Sequence, residues 1–155
     1  MDLTPALLAS LQKLQLFVDL SPTQIKRMFS ACRQESFEAG AVLCHAGRDS
    51  DRMFIIVSGS VDILSSSDTQ LAHETAVTTI GETGLLSGET RAATVRVRAA
   101  ASALVIHKRP LQQLMQDDSG LAIRLYRNAM VLVRKKLIAA DQRLERVLRS
   151  EDSVE

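Results

Sequence analysis

The chain has 155 residues, 46% of them hydrophobic, and a net charge of +1. That is enough for one domain with a packed core, and near-neutrality gives no overall field to draw in nucleic acid or a membrane surface. With one Tyr, four Phe and no Trp, the chain lacks the aromatics of a base-stacking RNA platform.

No run approaches the roughly 20 apolar residues of a membrane span. The start, MDLTPALLAS, has no basic stretch ahead of an apolar run and does not read as a secretory signal. Cys32 and Cys44 lack CxxC spacing and fit reduced core thiols, which points to a cytoplasmic protein.

The predicted elements fall into three regimes. Residues 1–34 read as N-terminal helices: Leu7, Leu8, Leu11 and Leu14 repeat at helical spacing, and Ser21-Pro22 opens a second helix with a serine cap. Residues 35–108 read as short strands with Gly and Ser punctuation. They are Ala41–Cys44, Met53–Val57 running into Ser58-Gly59, Val61–Leu64, Thr94–Arg98 and Ala103–Ile106. Residues 110–149 read as helices again, a short one ending near Asp117 and then a long one, with 150–155 as a tail. The implied class is α+β, an antiparallel β-roll flanked by helices.

Two stripes run along the long helix. Tyr126, Met130, Val133, Leu137, Ala140, Leu144 and Val147 follow alternating 4 and 3 spacing, the pattern of a heptad seam. Ala122, Leu125, Ala129 and Leu132 lie on a neighbouring face of the first half. One stripe is expected to pack on the parent domain and the other on a partner helix in a homodimer. The basic residues of this helix read as a solvated face beside the seam rather than a nucleic-acid surface.

The segment IGETGLLSGETRAATV carries the chemistry. Gly81, Gly84 and Gly88 permit close backbone approach. Glu82–Leu86 makes about one helical turn, which directs N–H groups and positive partial charge outward from its start. Arg91 offers a planar fork of donors suited to phosphate oxygens. Glu82 as a carboxylate accepts only and suits hydroxyls such as those of a ribose. A surface ion pair between the two is the plain alternative. The run Arg91-Ala92-Ala93-Thr94-Val95 leads into a strand, which would anchor the guanidinium and favour a ligand.

This segment closely resembles the phosphate-binding cassette of cyclic nucleotide-binding domains, as in the catabolite activator protein and the regulatory subunit of cAMP-dependent protein kinase. Gly81-Glu82 and Arg91–Val95 match its two halves. Ala39–Gly47 and Met53–Val61 follow its strand-glycine-strand pattern, Leu16–Ile25 its N-terminal helices, and about residues 14–140 are covered. The resemblance implies that Glu82 binds the ribose 2′-hydroxyl and Arg91 the equatorial phosphate oxygen. Backbone N–H groups of Gly81, Thr83 and Ala92, with Ala93 beside them, would cradle sugar and phosphate. Val61 and Ile63 would line the roll, and Leu132 and Lys136 would cap the base. Val133, Leu137, Ala140 and Leu144 would form the dimer seam.

The chain departs from the family pattern at Thr83, where an apolar residue is usual, at Thr90, where Pro is common, and before Ile80, where a Gly-Asp turn is missing. The stretch from Gly59 to Gly81 is expected to be a short hairpin. Ala92 lacks the hydroxyl that cGMP-preferring relatives place after the arginine, so cAMP is favoured over cGMP. Lys136, facing the base, could instead donate to a guanine.

No prosthetic group or metal site is expected, since His45 follows Cys44 onto the opposite strand face and His73 and His107 lack ligand-spaced companions. No nucleophile–base arrangement nominates an enzyme. The expected protein is a stand-alone cyclic nucleotide receptor without a DNA-binding domain, acting on an unknown effector. Its rivals are a ligand-free dimerisation module and the sensor half of a transcription regulator.

Overall fold

A computed structural model describes residues 1–151. The first helix, α1 (Pro5–Gln12), is capped by Thr4, whose side chain accepts from the Leu7 N–H. A 3-10 turn at Gln15–Phe17 leads to α2 (Pro22–Ala31). There Ser21 and Gln24 cap each other's backbone N–H groups in a capping box, with Pro22 in the first turn.

The strands are β1 (Arg33–Phe37), β2 (Val42–Cys44), β3 (Arg52–Leu64), β4 (Gln70–Thr75), β5 (Thr78–Ile80) and β6 (Thr94–His107). All pairings are antiparallel, in the order β1-β6-β3-β4, with β2 also on β6 and β5 also on β3. Between β5 and β6 lies α3 (Glu82–Ser87), and α4 (Lys108–Asp117) and α5 (Ser119–Glu151) follow β6. This is the α+β roll that the sequence implies.

Several boundaries differ from the sequence reading. Met53–Val57 and Val61–Leu64 form one strand of 13 residues, and Thr94–Arg98 and Ala103–Ile106 one of 14. Gly59 is not a turn. It has φ +86°, and a Cβ there would strike the backbone of Ala99–Ala101 on the neighbouring strand. The β3–β6 register shifts on either side of it. Such bulges let two long strands stay paired while they coil round a roll.

The Gly59–Gly81 stretch is not a short hairpin either, since both β4 and β5 pair back onto β3. Strand structure begins at Arg33 rather than at 35, and helix at Lys108 rather than at 110. Ser150 and Glu151 are helical, while the rest of the expected tail, 152–155, lies outside the described residues.

Two cores flank the central strands. Met53, Ile55, Leu104 and Ile106 face the helices, where they meet Leu11, Phe17, Ile25, Met28, Leu121 and Leu125. Phe54, Ile56 and Val105 face the interior of the roll with Val61, Val95 and Val97. Successive strand side chains point to opposite faces, so a strand covered on both sides reads as an unbroken apolar run.

The helix α5 divides at Leu132. Before it, Leu121, Leu125, Asn128 and Ala129 are buried. From Val133 to Glu151 every residue is exposed.

Candidate functional site

The two charges of the cassette are both buried. Glu82, the first residue of α3, is 1% exposed, and Arg91 is 5% exposed. Gly81 lets the chain turn sharply into α3, with φ +82° and ψ 8°. Leu85 then drives the short helix onto the helical core. Gly84 allows α3 to sit against Ser50, whose hydroxyl occupies the space a Cβ would need.

Arg91 is fixed differently from the sequence expectation. The strand begins only at Thr94. The arginine is held instead by its own backbone: its N–H donates to the Arg48 carbonyl at 2.7 Å, and its carbonyl accepts from the Gly47 N–H at 2.8 Å. Its guanidinium packs over Gly81. Nη1 donates to the Gly81 carbonyl at 3.3 Å and Nη2 to the Arg52 carbonyl at 2.5 Å. The Asp51 carboxylate lies 3.5 Å from Nη2. Nε is buried with no partner among the described residues.

Glu82 does not pair with Arg91. Its Oε1 accepts from Lys136 Nζ at 3.1 Å, and its Oε2 is buried without a partner among the described residues. Charged groups taken out of water are stabilised by partners. A buried carboxylate at the start of α3 and a buried guanidinium in the loop after it, each with an unpartnered polar atom, offer an acceptor suited to a hydroxyl and a donor suited to an anion.

The other expected site residues spread around this pair. Thr83 and Ala93 are half-buried and Ala92 is exposed. Val61 is fully buried in the roll core, with Ile63 half-buried against it. Leu132 packs against the helical core, whereas Lys136 reaches the carboxylate of Glu82. Val133, Leu137, Ala140 and Leu144 lie on the exposed half of α5, together with Met130 and Val147.

Ser50, Asp51 and Arg52 were not anticipated. Ser50 and Asp51 lie just before β3 and Arg52 opens it; Arg52 supplies a carbonyl and Asp51 a carboxylate to Arg91, and Ser50 Oγ is buried without a partner among the described residues. The contact spans 39 residues, and the one sequence signal is the acid-rich run Asp49-Ser50-Asp51. Asn128 was also missed. It is a polar residue on the apolar stripe of α5, and its Nδ2 donates to the carbonyls of Leu16 and Val18.

Both cysteines are free thiols. Burial pushes Cys32 up to about 12. Burial also raises Cys44, against the opposing pull of Arg91. Among the described residues, no group of three or more His, Cys, Asp or Glu could hold a metal, and no helix is long and apolar enough to cross a membrane.

The family model described as the cyclic nucleotide-binding domain matches residues 34–118. A cyclic nucleotide-gated potassium channel of Mesorhizobium japonicum is 35% identical over 107 residues, 69% of this chain and 29% of the channel. A second, from Rhizobium etli, is 30% identical over 115 residues, 74% of this chain and 32% of that channel. The chain thus spans about three tenths of the length of these relatives.

Among solved structures, the N-terminal domain of a transcriptional regulator from Streptomyces coelicolor superposes with a TM-score of 0.72 at 24% identity, covering 81% of this chain and 93% of that one. The Thermus thermophilus catabolite activator protein gives 0.70 at 19% identity, covering 86% and 62%. At these identities the structural likeness is one of fold. The family model, which matches more than half of the residues, and the 35% identical relative go further: the chain belongs to the cyclic nucleotide-binding domain family.

Proposed function

We propose that this domain is a receptor for a cyclic nucleotide, cAMP in preference to cGMP, and not an enzyme. The observation that carries this reading is the pair of buried, opposite charges that do not neutralise each other, Glu82 and Arg91. Glu82 accepts from the ribose 2′-hydroxyl, and Arg91 donates to the phosphate oxygen. The N–H groups of Gly81, Thr83 and Ala92 line the path between them. Val61 and Ile63 shape the roll beside the sugar. Ala92 brings no hydroxyl toward a guanine, which favours cAMP. Both channel relatives are named for gating by cyclic nucleotides, which supports the ligand class.

The output is carried by α5, which changes position on ligand binding and presents its stripe to a second copy or to an effector protein in the cytoplasm. The exposure of Met130 (74%), Leu137 (60%) and Leu144 (58%) supports a homodimer seam there. Ligand binding shifts the helix only if its free energy differs between the two positions. One observation favours a ligand-free interaction module instead: Lys136 already partners Glu82.

Titration calorimetry with cAMP, cGMP and a cyclic dinucleotide separates these readings. Binding is expected to be tightest with cAMP, and Arg91→Ala should weaken it by about thirtyfold or more, the scale of a lost charge-assisted hydrogen-bonding group. Absence of heat with every ligand would sink the receptor reading.

A further inference from the structure

We infer that Lys136 is an internal competitor for the sugar-hydroxyl site, so that occupation of Glu82 by a ligand and release of the outer half of α5 are one event. The inference rests on the receptor reading and concerns the regulation of that same site.

The position of Lys136 carries the argument. It lies one turn beyond Leu132, where α5 passes from a packed helix to one exposed on every side. Upstream, the helix is held by buried Leu121, Leu125 and Ala129 and by the two bonds of Asn128. Downstream, side chains bond it to the rest of the domain at Lys135, to Gln15, at Lys136, to Glu82, and at Arg143, to the carbonyl of Leu71. Of these three, Lys136 is the one that ends on a buried carboxylate of the cassette, Glu82.

The two ends of this ion pair are unequal. Glu82 is 1% exposed, while the Lys136 side chain is 64% exposed. When the pair breaks, the ammonium moves into water at little penalty, but the buried carboxylate needs a replacement partner. A sugar hydroxyl donating to Glu82 is such a partner. As long as the ammonium stays on Oε1, it neutralises the carboxylate and weakens any hydroxyl bond to either oxygen, since charge assistance is what makes such bonds strong. A ligand without the hydroxyl has no quarrel with Lys136.

The test compares wild type with Lys136→Met, titrated with cAMP and with 2′-deoxy-cAMP. The variant is expected to bind cAMP about three- to fivefold tighter, the scale of a partly exposed ion pair, while 2′-deoxy-cAMP should change by less than about twofold. Weaker binding of cAMP overturns the inference, because Lys136 then serves the ligand. Equal tightening of both ligands overturns it too, because the effect is then general electrostatics.

Hydrogen exchange on the ligand-free proteins reads the tether without any ligand. Lys136→Met should speed exchange at residues 133–148 severalfold, and unchanged exchange there overturns the tether. If neither protein binds either nucleotide, the receptor reading has failed and the competition with it, while the exchange result still decides whether Lys136 holds α5.

Discussion

The guanidinium of Arg91 lies over the α-carbon of Gly81, with Nη1 in the space that a Cβ would occupy. Glycine here serves two needs at once, a left-handed backbone and a seat for the arginine. Gly81→Ala should therefore destabilise the fold by about 1–2 kcal/mol from the backbone alone. It should also push the Arg91 fork away from the Gly81 and Arg52 carbonyls. Thermal unfolding and cyclic nucleotide titration together check this. An alanine variant with unchanged affinity would show that the fork does not need its present seat.

Asp51 and the Arg52 carbonyl both approach Nη2 of Arg91, but they act differently. The carbonyl, at 2.5 Å, fixes direction, whereas the carboxylate, at 3.5 Å and 59% exposed, contributes negative charge. Asp51→Asn should leave the fork in place and remove a charge that opposes an incoming phosphate. Affinity is expected to rise by about two- to fivefold, with stability unchanged within about 0.5 kcal/mol. A fall in affinity would mean that Asp51 orients the arginine.

Asp118 caps α5. Its Oδ1 accepts from the Leu121 N–H at 2.9 Å, and its Oδ2 accepts from Gln24 and Arg27. Its carboxyl is held below the ordinary 3.8, first by the Leu121 N–H, then by Gln24, with Arg27 adding to it. A depressed folded value means that the stabilisation is present above the unfolded value and is lost as pH falls through the folded one. Urea unfolding of wild type and Asp118→Ala should differ clearly at about pH 6 and converge as the pH falls through the depressed folded value. A gap independent of pH would assign the effect to something other than the carboxylate.

The proposed seam on α5 separates association from folding. Leu137 and Val133 are 60% and 50% exposed, so Val133→Glu combined with Leu137→Glu should leave monomer unfolding within about 0.5 kcal/mol per site. Sedimentation should show dimer formation weakened by at least about tenfold, since each dimer would bury unpaired carboxylates. Equal sedimentation of the two proteins would remove the seam from this face.

The helical parts of the chain were readable because their signals are local. Ser21 and Pro22 announce α2 within one turn, and the two stripes of α5 separate buried Leu125 and Ala129 from exposed Met130 and Leu137. Glu82 and Arg91 stood out because opposite charges bracket a glycine-rich turn.

What escaped the sequence reading depends on distant pairings. Gly59 looks like a turn residue, but it is a bulge forced by the close passage of Ala99–Ala101. The Asp51–Arg52 support of Arg91 and the Lys136–Glu82 pair bridge 39 and 54 residues respectively. Neither contact leaves a periodicity to detect.

The division of α5 at Leu132 makes its outer half a lever. From the buried amide of Asn128, pinned to the Leu16 and Val18 carbonyls, the helix runs on to Glu151, about 35 Å at 1.5 Å per residue. A tilt of about 10° about that pivot would carry the tip about 6 Å, more than a full helical turn of pitch. If α5 moves as proposed, one side chain leaving Glu82 would be read out, at the far end, as a displacement large enough to change which turns of a partner helix are met.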